Sequence, residues 1–227
     1  MYDLAHRGYS AHYPENTMLA FKKAIEAGFD GIETDVQKTK DGVLVLIHDD
    51  KINRTSNGKG KVRDLTYQEL LQYNFNNGFK EDVKIPRLDE LLSLIKTTNM
   101  ILNIEIKDII SEGMAHDVAM MVKDHGVEDQ IFFSSVSLER MVEIKRYLPQ
   151  NYCAVILNRD YKKRKEEPVT FHLDGIHANF KYLKEKDLIY YKEHHIDVGA
   201  WTILKQKDYD FFKQQDILFA FTNELLK

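Results

Sequence analysis

Short apolar runs alternate with amphipathic segments of helical spacing along most of the chain. Nine runs are candidate strands, namely 2–5, 31–36, 43–47, 101–106, 130–134, 152–157, 173–177, 196–202 and 217–222. The amphipathic segments are 16–27, 88–97, 115–125, 138–147, 183–194 and 208–214. This alternation predicts an α/β fold with parallel strands covered by helices, and about eight such units predict a closed barrel.

The second and third candidate strands depart from that pattern. Only residues 37–42, with the turn sequence Lys40-Asp41-Gly42, separate Val36 from Val43. Because a parallel crossover needs about a dozen residues or more, we expect either a missing helix or a local hairpin here. A hairpin centred on Asp41 would place His48 level with residues 33–35.

Residues 50–86 form a second irregularity. The segment is rich in Asn, Gly and Lys and contains the aromatic residues Tyr73, Phe75 and Phe79. It is too long for a simple connection, and long inserted loops are usually functional lids or small subdomains. We therefore expect one domain over residues 1–227 with a small inserted subdomain at about 50–86.

Composition narrows the classes of function. The 32 Lys and Arg residues nearly balance the 36 Asp and Glu residues, for a net charge of −4. No overall field would draw such a chain onto nucleic acid or an anionic bilayer, so phosphate recognition must be local. The single cysteine, Cys153, excludes an internal disulfide and a cysteine-cluster metal site.

Several features bear on localisation. The longest apolar run, residues 43–47, is far too short to span a bilayer, and the first residues show no signal-peptide pattern. One cysteine also suits a reducing compartment. We expect a soluble, cytoplasmic protein without stable membrane insertion; the oligomeric state stays open.

Three acidic residues are candidate metal ligands. Glu33 and Asp35 lie two apart on a candidate strand and point to the same face, and Glu105 lies within the apolar run 101–106. An unpaired buried acid is costly, and three carboxylates at strand ends suit Mg²⁺ or Ca²⁺ better than zinc. From spacing alone, Glu33 could equally pair with a lysine or arginine.

His6 and His48 each end a candidate strand. In a barrel the carboxyl ends of the strands share one mouth, so both histidines can meet the three carboxylates there. Since histidine titrates near neutrality, the pair could divide the roles of base and acid. Taken singly, each histidine is better explained by capping or packing than by catalysis.

Arg7 and Lys107 would bring positive charge to the same mouth. Arg7 offers a planar fork suited to phosphate oxygens, and Lys107 offers a point charge. The alternatives are that Arg7 is an ordinary surface residue and that Lys107 is the ion-pair partner of Glu105.

These residues stand within a longer series of motifs. The series reads His6-Arg7-Gly8, Pro14-Glu15-Asn16-Thr17, Gly31-Ile32-Glu33-Thr34-Asp35-Val36, Thr39-Lys40-Asp41-Gly42, His48-Asp49, Arg54-Thr55, Ile85-Pro86-Arg87-Leu88 and Asn103-Ile104-Glu105-Ile106-Lys107. In order and spacing it resembles the glycerophosphodiester phosphodiesterase family. The second half of the chain resembles the family more weakly, through Ser134-Ser135 and Trp201-Thr202.

The resemblance implies a TIM-type (β/α)8 barrel with the segment after His48 as the family's inserted subdomain. It implies one divalent cation, Mg²⁺ or Ca²⁺, and assigns a role to each candidate residue. These are metal ligation by Glu33, Asp35 and Glu105, catalysis by His6 and His48, phosphate contacts by Arg7 and Lys107, support by Glu15 and Asn16, and packing on the glycerol by Trp201. Asn16 would also be the N-cap of the first helix.

Two positions depart from the family pattern. Thr222-Asn223-Glu224-Leu225 stands where the family commonly has Thr-Asp followed by an aromatic residue and proline, which puts the last strand's contribution in doubt. Val136 follows the serines in place of the usual aromatic residue. Neither position is a predicted metal ligand or acid/base residue.

The expected activity is metal-dependent hydrolysis of a small-molecule glycerophosphodiester to glycerol 3-phosphate and an alcohol, with histidine acid/base catalysis. One alternative is a related enzyme of lipid metabolism that acts on lysophospholipids, with the aromatic residues of the insertion forming an apolar shelf. Another is a non-catalytic barrel that binds metal or phosphate, although a binding module has no need of two proton carriers. Nucleic-acid binding is not expected, because the chain has no basic stripe.

Overall fold

The computed structural model describes residues 1–226 as a closed barrel of eight parallel strands with one extra strand. The strands are β1 (Tyr2–His6), β2 (Gly31–Lys38), β3 (Leu44–Leu46), β4 (Ile101–Ile106), β5 (Ile131–Ser135), β6 (Cys153–Leu157), β7 (Gly175–Asn179), β8 (Asp197–Ile203) and β9 (Phe219–Thr222). Their order is β1-β9-β8-β7-β6-β5-β4-β2-β3, and pairing of β1 with β2 closes the barrel. All nine predicted strands are confirmed.

Helices cover the outside of the barrel. They are α1 (Met18–Ala27), α2 (Tyr67–Leu70), α3 (Leu88–Ile95), α4 (Met114–His125), α5 (Leu138–Tyr147), α6 (Tyr161–Arg164), α7 (Glu167–Thr170), α8 (Glu185–Glu193) and α9 (Gln206–Gln214). The six predicted helices form. The short α2, α6 and α7 were not predicted: α2 lies within the irregular segment 50–86, and charged residues and Pro168 leave residues 158–170 without an apolar period. No helix within residues 1–226 is long and apolar enough to cross a membrane.

The early irregularity is a hairpin. Strand β3 runs antiparallel to β2 in the register Val36 to Leu46, Gln37 to Val45 and Lys38 to Leu44. Gly42 provides the left-handed residue of the turn, with a φ of 84°. The amide of Ile47 donates to the carbonyl of Asp35 over 2.9 Å, which carries the pairing to the edge of the barrel. The chain therefore delivers His48 beside the carboxyl end of β2, as the hairpin alternative predicted.

Aromatic side chains fill part of the barrel interior. Leu4, Phe132, Phe219 and Phe221 form a buried cluster in which the rings of Phe132 and Phe219 stack with centroids 4.6 Å apart. His177 packs its ring against Phe221 at 4.8 Å. Burial of each aromatic side chain stabilises the fold by about 1.5–3 kcal/mol. Together these side chains fill the barrel interior, so the barrel is a packed core and not a pore.

The segment between β3 and α3 has its own small apolar centre. Its buried members are Val45, Ile47, Ile52, Val62, Leu70, Phe75 and Ile85. Tyr73 packs against this centre, and Phe79 contacts Tyr13 with ring centroids 5.9 Å apart. The aromatic residues expected to form an apolar shelf are thus used largely to hold the segment together.

Candidate active site

The carboxyl ends of the strands define a mouth that contains one cavity of about 330 Å³. Its polar wall comprises His6, Arg7, Glu33, His48, Glu105 and Lys107. Its apolar wall comprises Val136, Ile156, Trp201 and Phe221. The structure brings together all the residues predicted to catalyse or to bind phosphate and glycerol, although they are far apart in sequence. A larger groove of about 530 Å³ lies between α8 and α9, away from these groups.

The three predicted metal ligands converge. An oxygen from each of Glu33, Asp35 and Glu105 lies within 4.8 Å of the other two. Strand register explains this convergence, because Asp35 pairs with Glu105 across β2 and β4, and Glu33 pairs with His6 across β2 and β1. Oδ1 of Asp35 is buried and receives no hydrogen bond from the described residues.

The pKa values of the three carboxyl groups reflect their mutual repulsion and their burial. Burial, and then the charges of Asp35 and Glu105, raise the pKa of Glu33 well above its usual value. Burial raises the pKa of Glu105 to about 7, against the attraction of Lys107. Burial would also raise the pKa of Asp35, but Arg7, His48 and Lys107 bring it below its usual value. Three ionised carboxylates this close need additional positive charge, so the donor set fits a divalent cation.

Arg7 joins the loop after β1 to the carboxylates. It adopts a left-handed conformation with a φ of 60°, and its amide donates to Oε2 of Glu33 over 2.9 Å. Its Nη1 donates to Oε1 of Glu15 over 2.9 Å, and its Nε lies 3.3 Å from Oδ2 of Asp35. The guanidinium is therefore held in place before any phosphate arrives.

Asn16 does not cap the first helix, so that prediction was wrong. Thr17 is the N-cap of α1, and its side chain accepts a hydrogen bond from the amide of Ala20. Asn16 has a φ of 53°, a conformation that asparagine tolerates, and this turns its side chain toward β2. There its Nδ2 donates to Oδ2 of Asp35 over 2.8 Å, and its Oδ1 accepts from Oγ1 of Thr34 over 2.8 Å. Asn16 thus supports the acidic cluster directly.

Each predicted catalytic histidine has a partner at Nδ1. Nδ1 of His6 lies 3.0 Å from Oδ1 of Asn223, and Nδ1 of His48 lies 2.6 Å from Oδ1 of Asp49. An Nδ1–H donated to these oxygens leaves Nε2 of each ring as the acceptor. Burial, followed by the charge of Arg7, lowers the pKa of His6 to about 4, and burial also lowers the pKa of His48. These shifts favour the neutral form of both rings near pH 7.

Lys107 connects two parts of the site. Its Nζ lies 2.8 Å from Oε1 of Glu105 and 3.2 Å from Nε2 of His48. The alternative ion pair with Glu105 therefore forms, and because Lys107 also lines the cavity, the phosphate contact stays a prediction.

Three residues of this network were not predicted as site residues, namely Asp49, Arg54 and Asn223. Nη1 and Nη2 of Arg54 donate to the carboxylate of Glu15 over 2.7 and 2.8 Å, and its Nε donates to Asp49 over 2.7 Å. The bond from Arg54 is the main reason that the pKa of Asp49 falls to about 2. Asp49 and Arg54 stand in the motif series, but sequence spacing cannot show that residues 15, 49 and 54 meet. Asn223 shows that the last strand still contributes to the site.

Trp201 and Val136 belong to the apolar lining of the cavity. Nε1 of Trp201 donates to the carbonyl of His177 over 3.0 Å, which fixes the indole at the mouth of the barrel. Val136, at a position where the family usually has an aromatic residue, is 40% exposed.

Comparison with known proteins agrees with this geometry. The family model described as the glycerophosphoryl diester phosphodiesterase family matches residues 6–227. The uncharacterized protein YqiK of Bacillus subtilis is 43% identical over 157 residues, which cover 67% of this chain and 65% of the relative. The chain thus spans slightly less than two thirds of that relative's length.

Two further relatives carry functional descriptions. A glycerophosphodiester phosphodiesterase of Bacillus altitudinis is 38% identical over 183 residues, covering 78% of this chain and 75% of the relative. A phosphodiesterase of Oleispira antarctica, solved in complex with the product sn-glycerol-3-phosphate, is 25% identical with a TM-score of 0.90. That superposition covers 98% of this chain and 93% of the other.

Proposed function

The chain belongs to the glycerophosphoryl diester phosphodiesterase family, and from this we infer that it hydrolyses glycerophosphodiesters to glycerol 3-phosphate and an alcohol. The observation that carries the proposal is that two histidines line one cavity together with Glu33 and Glu105, two members of the cluster of three carboxylates. The Bacillus altitudinis relative is named for this activity, and the Oleispira antarctica structure contains its product.

Glu33, Asp35 and Glu105 are the residues that would hold a divalent cation, Mg²⁺ or Ca²⁺. A cation bound there would act as a Lewis acid toward a phosphoryl oxygen. Their oxygens within 4.8 Å of one another, and the buried Oδ1 of Asp35 without a hydrogen bond from the described residues, support this assignment.

The chain's own residues supply the remaining chemistry. Arg7 and Lys107 line the cavity beside the carboxylates and would attract the phosphate oxygens, whose negative charge grows in the transition state. His6 and His48 share the proton transfers: one neutral ring accepts a proton from the nucleophile, and the other ring, in its protonated form, donates a proton to the leaving oxygen. Asn223 and Asp49 hold the two rings through Nδ1, so these transfers fall to Nε2, which in His48 lies 3.2 Å from Nζ of Lys107.

The lysophospholipid alternative was expected to rest on an apolar shelf of aromatic residues in the insertion, and the structure does not form that shelf from Tyr73 and Phe75. Phe75 lies in the buried centre of the insertion, and Tyr73 packs against that centre, so neither forms an open shelf. Exposed aliphatic residues instead follow strands of the barrel outside the insertion, as with Ile110 after β4 and Leu204 after β8. We therefore keep a lipid-linked diester as the second candidate substrate.

The decisive experiment measures glycerol 3-phosphate released from glycerophosphocholine by the purified protein, with EDTA and with Mg²⁺ or Ca²⁺ restored. We expect release only with cation, and a loss of at least about a hundredfold in kcat for His6→Ala and His48→Ala. His116→Ala, at an exposed histidine of α4, is the matched control and should keep full activity. Activity retained in both site variants, or no release by folded protein with either cation, would contradict the proposal.

A further inference from the structure

Exposed apolar side chains concentrate at the mouth of the barrel. Nine large hydrophobic residues are exposed among the described residues, and five of them follow the carboxyl ends of strands. These five, the apolar rim, are Ile109 (51% exposed), Ile110 (72%), Val136 (40%), Tyr182 (38%) and Leu204 (57%). Isolated exposed hydrophobic residues are ordinary, but their accumulation on one edge indicates an interaction surface.

The rim occupies one continuous side of the mouth. Its residues follow β4, β5, β7 and β8, which lie in one unbroken run of the strand order with β6 between them. Hydrogen bonds hold these loops together. Nη2 of Arg140 donates to the carbonyl of Ser111 over 2.8 Å, and Nη2 of Arg164 donates to the carbonyl of Val136 over 2.9 Å. These hydrogen bonds therefore connect the segments after β4, β5 and β6 to one another.

Exposed cations accompany the rim. The loops after β6, β7 and β8 carry Arg159, Lys162, Lys163, Lys181, Lys184, Lys205 and Lys207, all exposed. The same segments also contain acids: Asp160 and Glu167 are paired with Arg164, and Glu166 and Glu185 are exposed, so the cations outnumber the acids. In a chain whose net charge is −4, this is a local concentration of positive charge around an apolar edge.

We propose that this side of the mouth docks reversibly on a bilayer that contains anionic lipid. Lysine and arginine residues near an anionic membrane surface are attracted to it, while aliphatic side chains enter the boundary between headgroups and acyl chains. A soluble polyanion would account for the cations but gives no role to Ile110 and Leu204. Docking itself does not rest on the proposed function; only its consequence, delivery of a lipid-linked diester to the cavity, does.

The test is co-sedimentation of the full chain with vesicles of phosphatidylcholine, with and without phosphatidylglycerol, in EDTA so that no turnover occurs. We expect binding only to the anionic vesicles, weakened by added salt because exposed charges are screened. Ile110→Ser with Leu204→Ser should reduce the bound fraction about tenfold at limiting lipid, and so should Lys162→Glu with Lys163→Glu. None of these four residues lines the cavity.

Matched controls remove equal side chains elsewhere. Ile189→Ser replaces a 53% exposed isoleucine on α8, and Lys123→Glu with Lys22→Glu reverses two exposed lysines on α4 and α1. These variants should bind as the unaltered chain does, and circular dichroism checks that every variant is folded. The proposal is overturned if the unaltered chain ignores anionic vesicles, or if the serine variant binds fully while only the charge reversal loses binding. Vesicle binding by a chain that releases no glycerol 3-phosphate from glycerophosphocholine with cation restored would count against the proposed function and leave docking intact.

Discussion

The guanidinium of Arg54 holds the carboxylate of Glu15 through two hydrogen bonds of 2.7 and 2.8 Å. Glu15 in turn accepts from Arg7, and the remaining nitrogen of Arg54 binds Asp49, the partner of His48. A side chain that is outside the cavity wall thus links a predicted phosphate contact to a predicted proton carrier.

Arg54→Lys should therefore impair turnover more than binding. Lysine keeps the charge but cannot bind Glu15 and Asp49 with a planar fork, so His48 and Arg7 lose their fixed orientation. We expect kcat to fall at least about tenfold with little change in KM, as for other residues that orient catalytic groups. Steady-state kinetics with glycerophosphocholine measures this.

Arg63→Lys is the matched control for that measurement. Arg63 also lies in the insertion and has only a 4.0 Å contact with exposed Asp64. Its replacement should leave both constants unchanged, since exposed ion pairs contribute little. Equal kinetics for the Arg54 and Arg63 variants would show that Arg54 does not position Arg7 and His48.

Asn16 offers a separate test of the acidic cluster. Asn16→Gly keeps the left-handed backbone but removes the hydrogen bonds to Asp35 and Thr34, so the free energy of unfolding should fall by about 1–3 kcal/mol. Asn16→Ala should lose about 1 kcal/mol more, because alanine is strained at positive φ. Urea unfolding of the two variants provides the comparison. If alanine proved as stable as glycine, backbone conformation would have no part in this asparagine's role.

The sequence predicted the elements and the ends of the strands better than it predicted the network between them. Alternation and turn residues sufficed for nine strands, and the symmetry about Asp41 anticipated that Val36 pairs with Leu46. Arg54, Asp49 and Asn223 were missed as site residues because their roles arise from contacts between distant segments. Asn16 was misassigned because asparagine suits both an N-cap and a left-handed turn, and only the packing against β2 decides between them.

Cation affinity should depend on pH. The pKa of Glu105 is about 7 and that of Glu33 is raised well above its usual value, so protons compete with the cation for these oxygens. Calorimetric titration with Mg²⁺ or Ca²⁺ should show affinity falling as the pH drops from 8 to 6, by up to about tenfold per unit where one proton is displaced. Asp35→Asn should abolish binding, and Glu112→Gln at an exposed site should not. Binding independent of pH would show that the cation does not use this cluster.

His177 should make the free energy of unfolding depend on pH below about 6.5. Burial alone lowers its pKa from 6.5 to about 3, and its Nε2 has no hydrogen-bond partner among the described residues. The unfolded chain binds a proton here below about pH 6.5 and the folded chain does not, so stability is complete above that pH. It should decline by up to about 1.4 kcal/mol per pH unit as the pH falls toward 3. His6, with a pKa of about 4, should add a similar decline over a narrower range.

Urea unfolding of the unaltered chain and of His177→Leu between pH 7 and pH 4.5 measures this contribution. Leucine cannot be protonated, so the variant should lose less stability per pH unit whatever its stability at pH 7, and the remaining slope should reflect groups such as His6. His116→Leu, at an exposed histidine, should retain the slope of the unaltered chain. Parallel curves for the unaltered chain and the His177 variant would show that His177 is not the group protonated on acid unfolding.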